Sequence, residues 1–587
     1  MVNGCTVAIL FRAKHPAPVV RVKWGRIYTK LSPITVKMLV YYYSRIITGE
    51  SFQNQHSGAT YDMSRCKKAW AFLCIAGYFL YSSAASLSDG YIIYGTYDGT
   101  STVLIDSSGS EVYTWDHTSK NGYAVYLLEN GNVLRTAQVE NNVEYPSGAM
   151  PLQGIIEEVD AAGNVVWNYQ LANDSLITHH DMKIMPNGHI IACAFEFKSK
   201  AQMVEAGLDT ALLKGGGGGF GFGSSKGLLA EMIFELDPHA QGGPQIVWEW
   251  HICDHVIPKE QASQHPELFN GSLGPLSSQQ WVHMNGIDYC AKNDLIAFTS
   301  RLFSEIYVID HSTTTQEAAS HSGGTHGKGG DLLYRWGRNA NFMGNGDTII
   351  RTLHCPTWIP DGYPGAGDLL FFHNNASIVS MMGSNGVSQV IQITPPRTND
   401  GKFIHTSGEP FGPSQPTWKY VPDSDMFSGY MSSAFRMKNG NTLVHESQEA
   451  RVREITPGGE IVWMDTLGSS GGGGMMMAGP AKIMYYPSDY IGIEKLLGKE
   501  LKTADKNREV TDGHLAEIRV RMDRSIEIGA ASGSHATIYT VRGERVASLP
   551  ITSGRVSISP RHIPAGACIV QISYNGKCVS KRLINMR

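Results

Sequence analysis

One unit recurs six times along this chain, and that repetition constrains the fold more than any other feature. Each copy runs from an apolar alternating strand ending in an acidic residue or Thr, through a Gly-containing turn, to a strand carrying Trp. A further strand then leads through a second Gly turn into another apolar strand. The first half reads Val103-Leu104-Ile105-Asp106 to Trp115, Glu158-Val159-Asp160 to Trp167, and Phe234-Glu235-Leu236-Asp237 to Trp248. It continues with Tyr307-Val308-Ile309-Asp310 to Trp336, Ile391-Gln392-Ile393-Thr394 to Trp418, and Arg453-Glu454-Ile455-Thr456 to Trp463. The second half contains Asn130-Gly131, Asn187-Gly188, Asp361-Gly362 and Asn439-Gly440 between alternating runs, the strongest short-range hairpin signal. Four short strands cannot bury both faces alone, so the units must stack around an axis. The expected fold is all-β: a six-bladed β-propeller over residues 86–492. Tyr91-Ile92-Ile93-Tyr94 and Ala481-Lys482-Ile483-Met484-Tyr485 are the two edges expected to pair and close the ring.

Composition agrees with a turn-rich β protein: 17% charged and 42% hydrophobic residues, 64 Gly and 11 Trp in 587 residues. The net charge of −4 conceals an asymmetry. Residues 1–62 hold eight Lys/Arg against two Asp/Glu, and without them and Arg65, Lys67 and Lys68 the remainder has 38 Lys/Arg against 51 Asp/Glu. A body near −13 lacks the basic face that phosphate binding needs, so no nucleic-acid partner is expected.

Met63-Ser64-Arg65-Cys66-Lys67-Lys68, the apolar run Ala69 to Leu80 and the small residues Ser82 to Ser86 read as a signal peptide over 63–85, with 1–62 an over-called start. The run is too short for a bilayer span, so the mature form is expected to have no transmembrane anchor. Export would make disulfides possible among Cys193, Cys253, Cys290, Cys355, Cys568 and Cys578, but none shows CxxC or metal-type spacing. The hairpin register at Asn575-Gly576 sets Ser573, not Cys568, opposite Cys578. Residues 493–515 are Lys-, Glu- and Asp-rich and read as a linker. Residues 516–587 read as a small β-sandwich. Its Ile563-Pro564-Ala565-Gly566, Ile569-Val570-Gln571-Ile572 and terminal Ser580 to Arg587 resemble the C-terminal sorting domains of type IX secretion substrates. That resemblance implies the type IX machinery as a partner, passage through the periplasm, and a cell-surface or secreted destination.

The repeat supplies a register in which equivalent positions can be compared. Eight residues before the turn Gly stand Tyr123, His180, His354 and Ser432, and His283 takes the like place in the third unit, with Asn285 beside it and Arg301 beyond the next strand. A single His is usually a surface or core residue; three in one register near a channel mouth point to chemistry. Arg301 offers a planar fork for a tetrahedral oxyanion, Asn285 an amide donor, and neutral imidazoles a nucleophile and a general acid/base. Metal is the competing use of three imidazoles, with His179-His180-Asp181 as ligand and outer carboxylate, but no ligand motif appears and no metal is assigned.

The segment His179 to His189 (HHDMKIMPNGH), His283-Met284-Asn285 followed by Ser300-Arg301, Leu353 to Trp358 (LHCPTW) leading to LLFFHNN, and the stretch from Lys438 to Trp463 resemble the bacterial arylsulfate sulfotransferases over about 90–490. The resemblance implies a six-bladed propeller that moves a sulfuryl group from an aryl sulfate donor to a phenolic acceptor through a sulfated histidine, with no cofactor and without the nucleotide donor PAPS. It makes His354 the nucleophile, His180 the acid/base, and His283, Asn285 and Arg301 the sulfate-binding set. His179 is the less favoured alternative to His180, and Ser432 or Ser433 a small hydroxyl near the site. Where the family has an FDN strand, this chain has Phe372-His373-Asn374. Tyr123, Trp281 and Trp358 are candidate aromatics for phenol selectivity. A secreted, non-catalytic binding propeller and an aryl sulfate hydrolase are the competing readings. The Gly-rich stretches at 215–223 and 471–474 lack a following GK[ST] and are not phosphate loops.

Overall fold

The computed structural model describes residues 87–498 except 89, 141–142, 147–148, 150, 211–226, 274–279, 344–345, 377–385, 423–425 and 469–478, together with short strands between 52 and 61 and strands between 517 and 585. The chain divides into two compact units, 1–86 and 87–587. In the first, Phe52–Gln53 pairs with Thr60–Tyr61. The expected signal peptide lies outside the described residues, as do the two Gly-rich stretches.

Six four-stranded antiparallel sheets form the propeller. Blade 1 combines Pro480–Pro487 from the far end of the domain with Gly90–Thr96, Ser101–Ile105 and Glu111–Asp116. The ring closes as the sequence leads one to expect: Ile483 faces Tyr94, Met484 faces Ile93 and Tyr485 faces Ile92. The inner strands of blades 2 to 6 are Asn121–Leu127, Leu176–Ile184, Met284–Cys290, Leu353–Trp358 and Ser433–Arg436.

Closure also sets the phase of the repeat. The sequence unit begins at the third strand of one blade and ends at the second strand of the next, so His180, His283 and His354, in units two, three and four, belong with blades 3, 4 and 5. A periodic pattern looks alike from any starting strand; only the pairing of the two ends decides where a blade begins.

The repeat's residue types have local causes. The acid or Thr ending the third strand takes the backbone N–H groups of the following turn. Asp160 Oδ1 accepts from Ala162 N and Asn164 N, Asp310 Oδ1 from Ser312 N, and Thr456 Oγ1 from Glu460 N. The turn glycines Gly109, Gly163 and Gly459 have φ of 81 to 86°, a region other L-residues resist. Outer-strand tryptophans then join blades: Trp418 Nε1–H donates to Pro457 O and Trp336 Nε1–H to Pro413 O. Trp115, Trp248, Trp336 and Trp463 are buried in separate interblade cores.

Residue 493, expected to open a solvated linker, instead lies in a helix, Ile491–Leu497, with Ile493 buried against Leu127 and Val133. Farther on, Glu517–Val520, Ile526–Gly529 and Arg555–Ile558 form one antiparallel sheet. A second contains Arg545–Ile551, Ser534–Thr540, Gly566–Tyr574 and Lys577–Asn585. Its last hairpin has Ser573 opposite Cys578, the expected register.

Candidate functional site

The inner strands carry bulges at the register that the sequence singled out. In blade 2, residues 122–124 stand against Thr136 alone, and in blade 3 residues 179–181 stand against Cys193 alone. Asn285 is an extra residue in blade 4, and Cys355-Pro356 in blade 5 and Ala481-Lys482 in blade 1 stand two against one, opposite Phe371 and Gly95. A bulge turns side chains out of the alternating pattern and aims them anew. The backbone here is left-handed at non-glycine residues: φ is 49° at His180, 56° at His283, 53° at Cys355 and 81° at Ser432. Such conformations cost of order 1–3 kcal/mol each and persist where the surrounding structure holds them.

The result is one cluster on the axis. The His180 ring lies 5.2 Å from Tyr123, 4.8 Å from His283 and 6.4 Å from His354, centroid to centroid. Three-against-one bulging sends the neighbours of His180 elsewhere. His179 stacks on Phe195 at 3.6 Å, and Asp181 receives Lys482 Nζ at 2.8 and 2.9 Å. His180 is therefore the member facing the other imidazoles, with His179 behind it.

Hydrogen bonds fix the proton on each ring. Both Nδ2 hydrogens of Asn374 go to carbonyls, Ser428 O at 2.8 Å and Met431 O at 3.1 Å, so its Oδ1 faces His354 Nδ1 at 2.6 Å and accepts. His354 thus carries its hydrogen on Nδ1, and the Nε2 lone pair accepts the Met431 N–H at 3.1 Å. In the same way His179 Nε2–H donates to Glu231 Oε2 at 2.9 Å, leaving His179 Nδ1 to accept from His180 Nδ1 at 2.8 Å. His180 Nε2 keeps a lone pair. His283 Nδ1–H donates to Gln280 Oε1, which leaves its Nε2 likewise.

Burial pushes His354 down to about 3, helped by Arg301 and opposed by the Asn374 hydrogen bond. Burial first, then neighbouring histidines and Arg301, hold His180 and His283 well below the usual imidazole range. All three rings are neutral near pH 7. Arg301 is 7% exposed and its guanidinium has no carboxylate or hydrogen-bond acceptor among the described residues. Burial brings it down to about 10, so it remains a buried cation without a counter-ion. Its backbone N–H donates to His283 O at 3.0 Å, tying it to the cluster. The Tyr123 hydroxyl is also buried without a partner. An uncompensated buried charge costs several kcal/mol, and an anion beside Arg301 would remove that cost.

Other expected residues are placed differently. Asn285 gives one amide hydrogen to Leu353 O at 2.7 Å and accepts from Thr299 Oγ1 at 2.8 Å, so its amide braces the strand of His354, and one amide hydrogen remains beyond these two bonds. Ser432 Oγ donates toward Ser428 Oγ at 3.0 Å and accepts from Ser447 N at 3.1 Å, a structural role. The buried Ser433 hydroxyl has no partner among the described residues. Trp281 lies in the apolar core, edge-on to Phe303, its indole N–H on Leu273 O, rather than at the channel mouth. Trp358 is a core residue too, with the Arg397 guanidinium 5.4 Å from its ring. His373, where the family has Asp, accepts the Arg351 N–H at 2.9 Å.

Three supporting groups escaped the sequence reading. Glu231 orients His179 and receives Met284 N at 2.8 Å. Lys482 pairs with Asp181, which also receives the Ile287 N–H, so one ion pair links the closing strand to blades 3 and 4. Asn374 fixes His354. Only Asn374 had a visible signal, as the Asn of the Phe372-His373-Asn374 strand; a lone Glu or Lys inside an apolar strand names no partner.

The family model described as Arylsulfotransferase (ASST) matches residues 222–392. No curated protein matches the chain. Among solved structures, a protein of unknown function from Bacteroides caccae is 10% identical, covers 68% of this chain and 99% of its own, and has a TM-score of 0.37. Virginiamycin B lyase from Staphylococcus aureus is 11% identical, with 79% and 95% covered and a TM-score of 0.27. Similarities this weak carry nothing about activity. The matched segment is different, since it runs from the third strand of blade 3 to that of blade 5. Residues 222–392, which hold Glu231, His283, Arg301, His354 and Asn374, match the arylsulfotransferase family model and lie within a six-bladed propeller.

Proposed function

We propose that this propeller transfers a sulfuryl group from an aryl sulfate to a phenol in two steps through a sulfohistidine at His354, without PAPS. The observation that carries this reading is a buried, unpaired Arg301 among three neutral imidazoles, each with its hydrogen on Nδ1 and a lone pair on Nε2. Arg301 and the Tyr123 hydroxyl would hold the sulfate oxygens, as fixed charge and dipole aimed at a group whose charge spreads over its equatorial oxygens. His354 Nε2 attacks sulfur and the sulfur–aryl oxygen bond breaks. The phenolate leaves, and Nδ1–H stays on Asn374 Oδ1, which stabilises the positive ring of the sulfohistidine. Attack requires the Met431 N–H to withdraw from Nε2. Neutral His180 has no proton at Nε2 to give, so the donor's oxygen leaves as phenolate and takes its proton from water. In the second half, His180 Nε2 takes the acceptor's proton as its oxygen attacks sulfur.

The basic-apolar segment 63–85 and the two antiparallel sheets of 517–585 support a further proposal, that the protein is exported and that 516–587 is a sandwich-type sorting domain read by type IX machinery. Among the described residues, no helix is long and apolar enough to cross a membrane. The function is tested by incubating the purified protein with 4-nitrophenyl sulfate, with and without phenol and without PAPS. Nitrophenol release that depends on phenol, together with phenyl sulfate formation, is the expected result. Release without phenol would indicate a hydrolase, and silence a binding propeller.

A further inference from the structure

Away from the axis, His255, His321 and Asp331 bring three ligand-type atoms within 4.8 Å of one another. His255 ends the short turn Ile252–His255 after the outer strand of blade 3. His321 and Asp331 bracket a Gly-rich excursion between Glu305–Asp310 and Tyr334–Trp336, the third and outer strands of blade 4. His255 Nδ1 and His321 Nδ1 both approach Asp331 Oδ1, at 2.9 and 2.8 Å.

The other nitrogen of His255 decides what this contact is. Nε2 lies 2.8 Å from Ala318 O, and a carbonyl can only accept, so Nε2 carries the hydrogen. Nδ1 then meets the carboxylate oxygen with a cation between the two, either a proton on the ring or a bound metal ion. A backbone carbonyl holding the far N–H is also how metal-bound histidines are commonly oriented.

The surroundings are built to keep that orientation. Trp250 stacks on His255 with the ring planes 5° apart, and its indole N–H donates to Gly330 O at 2.8 Å. A Cβ at Gly330 would lie 2.0 Å from Ala318 O and 2.6 Å from His255 Nε2, so only glycine permits this approach. The excursion is pinned by Gly329 N–H to Gly323 O and Gly330 N–H to Ser320 O, both at 3.0 Å.

We propose that His255 Nδ1, His321 Nδ1 and Asp331 Oδ1 bind a first-row divalent cation of the zinc type, with solvent as the fourth ligand. Two imidazoles and one carboxylate suit Zn²⁺, whose bonds of about 2.0–2.2 Å need only a slight opening of the two contacts to Asp331. His321 is 61% exposed, which leaves the outer side open to water. The ion would staple the loop of blade 4 to the end of blade 3. This site is separate from the sulfuryl chemistry and does not depend on it.

The test uses untagged full-length protein, stripped with chelator and titrated with Zn²⁺, beside His321→Ala and Asp331→Asn. His321 is exposed, so H321A should keep the wild-type circular dichroism. Wild type should take up one Zn²⁺ per chain and gain thermal stability. Each variant should lose more than the roughly 10–100-fold in affinity that removal of an outer-shell partner costs, and its Tm should not respond to Zn²⁺. Co²⁺ should give ligand-field bands in wild type that H321A lacks. No stoichiometric Zn²⁺ in wild type, or equal uptake by wild type and H321A, would overturn the site and leave a proton on His255 as the cation.

Discussion

Replacing Arg301 with Met should raise the stability of the propeller while stopping its chemistry. The guanidinium is buried without a counter-ion, and burial takes it from its ordinary value to about 10. At about 1.4 kcal/mol per tenfold, that difference is roughly 3 kcal/mol against the charged folded state. Because the folded state binds this proton less tightly than the unfolded chain, the penalty is present at every pH below about 10 and fades as pH rises above it. Met keeps most of the side-chain length and removes the charge, so a net gain of roughly 1–3 kcal/mol is expected at pH 7. Transfer should fall about 10²- to 10³-fold, the scale of one lost oxyanion donor. Urea unfolding followed by Trp fluorescence reads the first effect as a rise in midpoint at unchanged slope. Nitrophenol release reads the second. An aryl sulfate should raise the Tm of wild type and leave that of R301M unmoved. A less stable R301M that still transfers would refute the reading of Arg301 as an anion site.

Four other outcomes are expected. His354→Ala should abolish transfer in a protein that still folds, since the lost ring is neutral and leaves Asn374 Oδ1 and Met431 N to be re-satisfied, at a cost of about 1–3 kcal/mol each; undiminished turnover would exclude it as nucleophile. Asn374→Ala should lower kcat by about 10²-fold with little change in KM, as a small misplacement of His354 does, and a change confined to KM would count against a positioning role. The pH profile of kcat/KM should have limbs near the values of His354, about 3, and Arg301, about 10, with activity lost as His354 gains its proton below and Arg301 loses its own above; a limb at 6.5 would contradict the buried neutral cluster. Lys482→Met should destabilise by about 3–5 kcal/mol by stranding Asp181, with Asp181→Asn restoring part of the loss in the double variant; equal unfolding midpoints for wild type and K482M would show the pair to be dispensable.

The fold was largely legible because each repeated residue type answers a local need. Asp160 or Thr456 takes turn N–H groups, Gly131 and Gly188 sit at φ near 90°, and the alternation decides which face is buried. Those requirements are met within a few residues, so they are written in consecutive sequence. The same register found Tyr123, His180, His283 and His354, which the bulges bring together. The phase of the blades was not legible, because it depends on the pairing of residues about 390 positions apart at Ile93 and Met484.

Roles within the site depend on contacts of the same long range. Sequence made Asn285 an anion donor and Trp281 a candidate aromatic near the mouth, and composition could not show that the first also braces Leu353 O or that the second fills the core. It could not separate His179 from His180, since only a three-against-one bulge sends adjacent side chains to different partners. Nor could it connect Glu231 to His179, 52 residues away, or Lys482 to Asp181, 301 residues away. Residue type and period fixed which groups were available near the axis; the closed ring decided which nitrogen holds a proton and which cation stands without a partner.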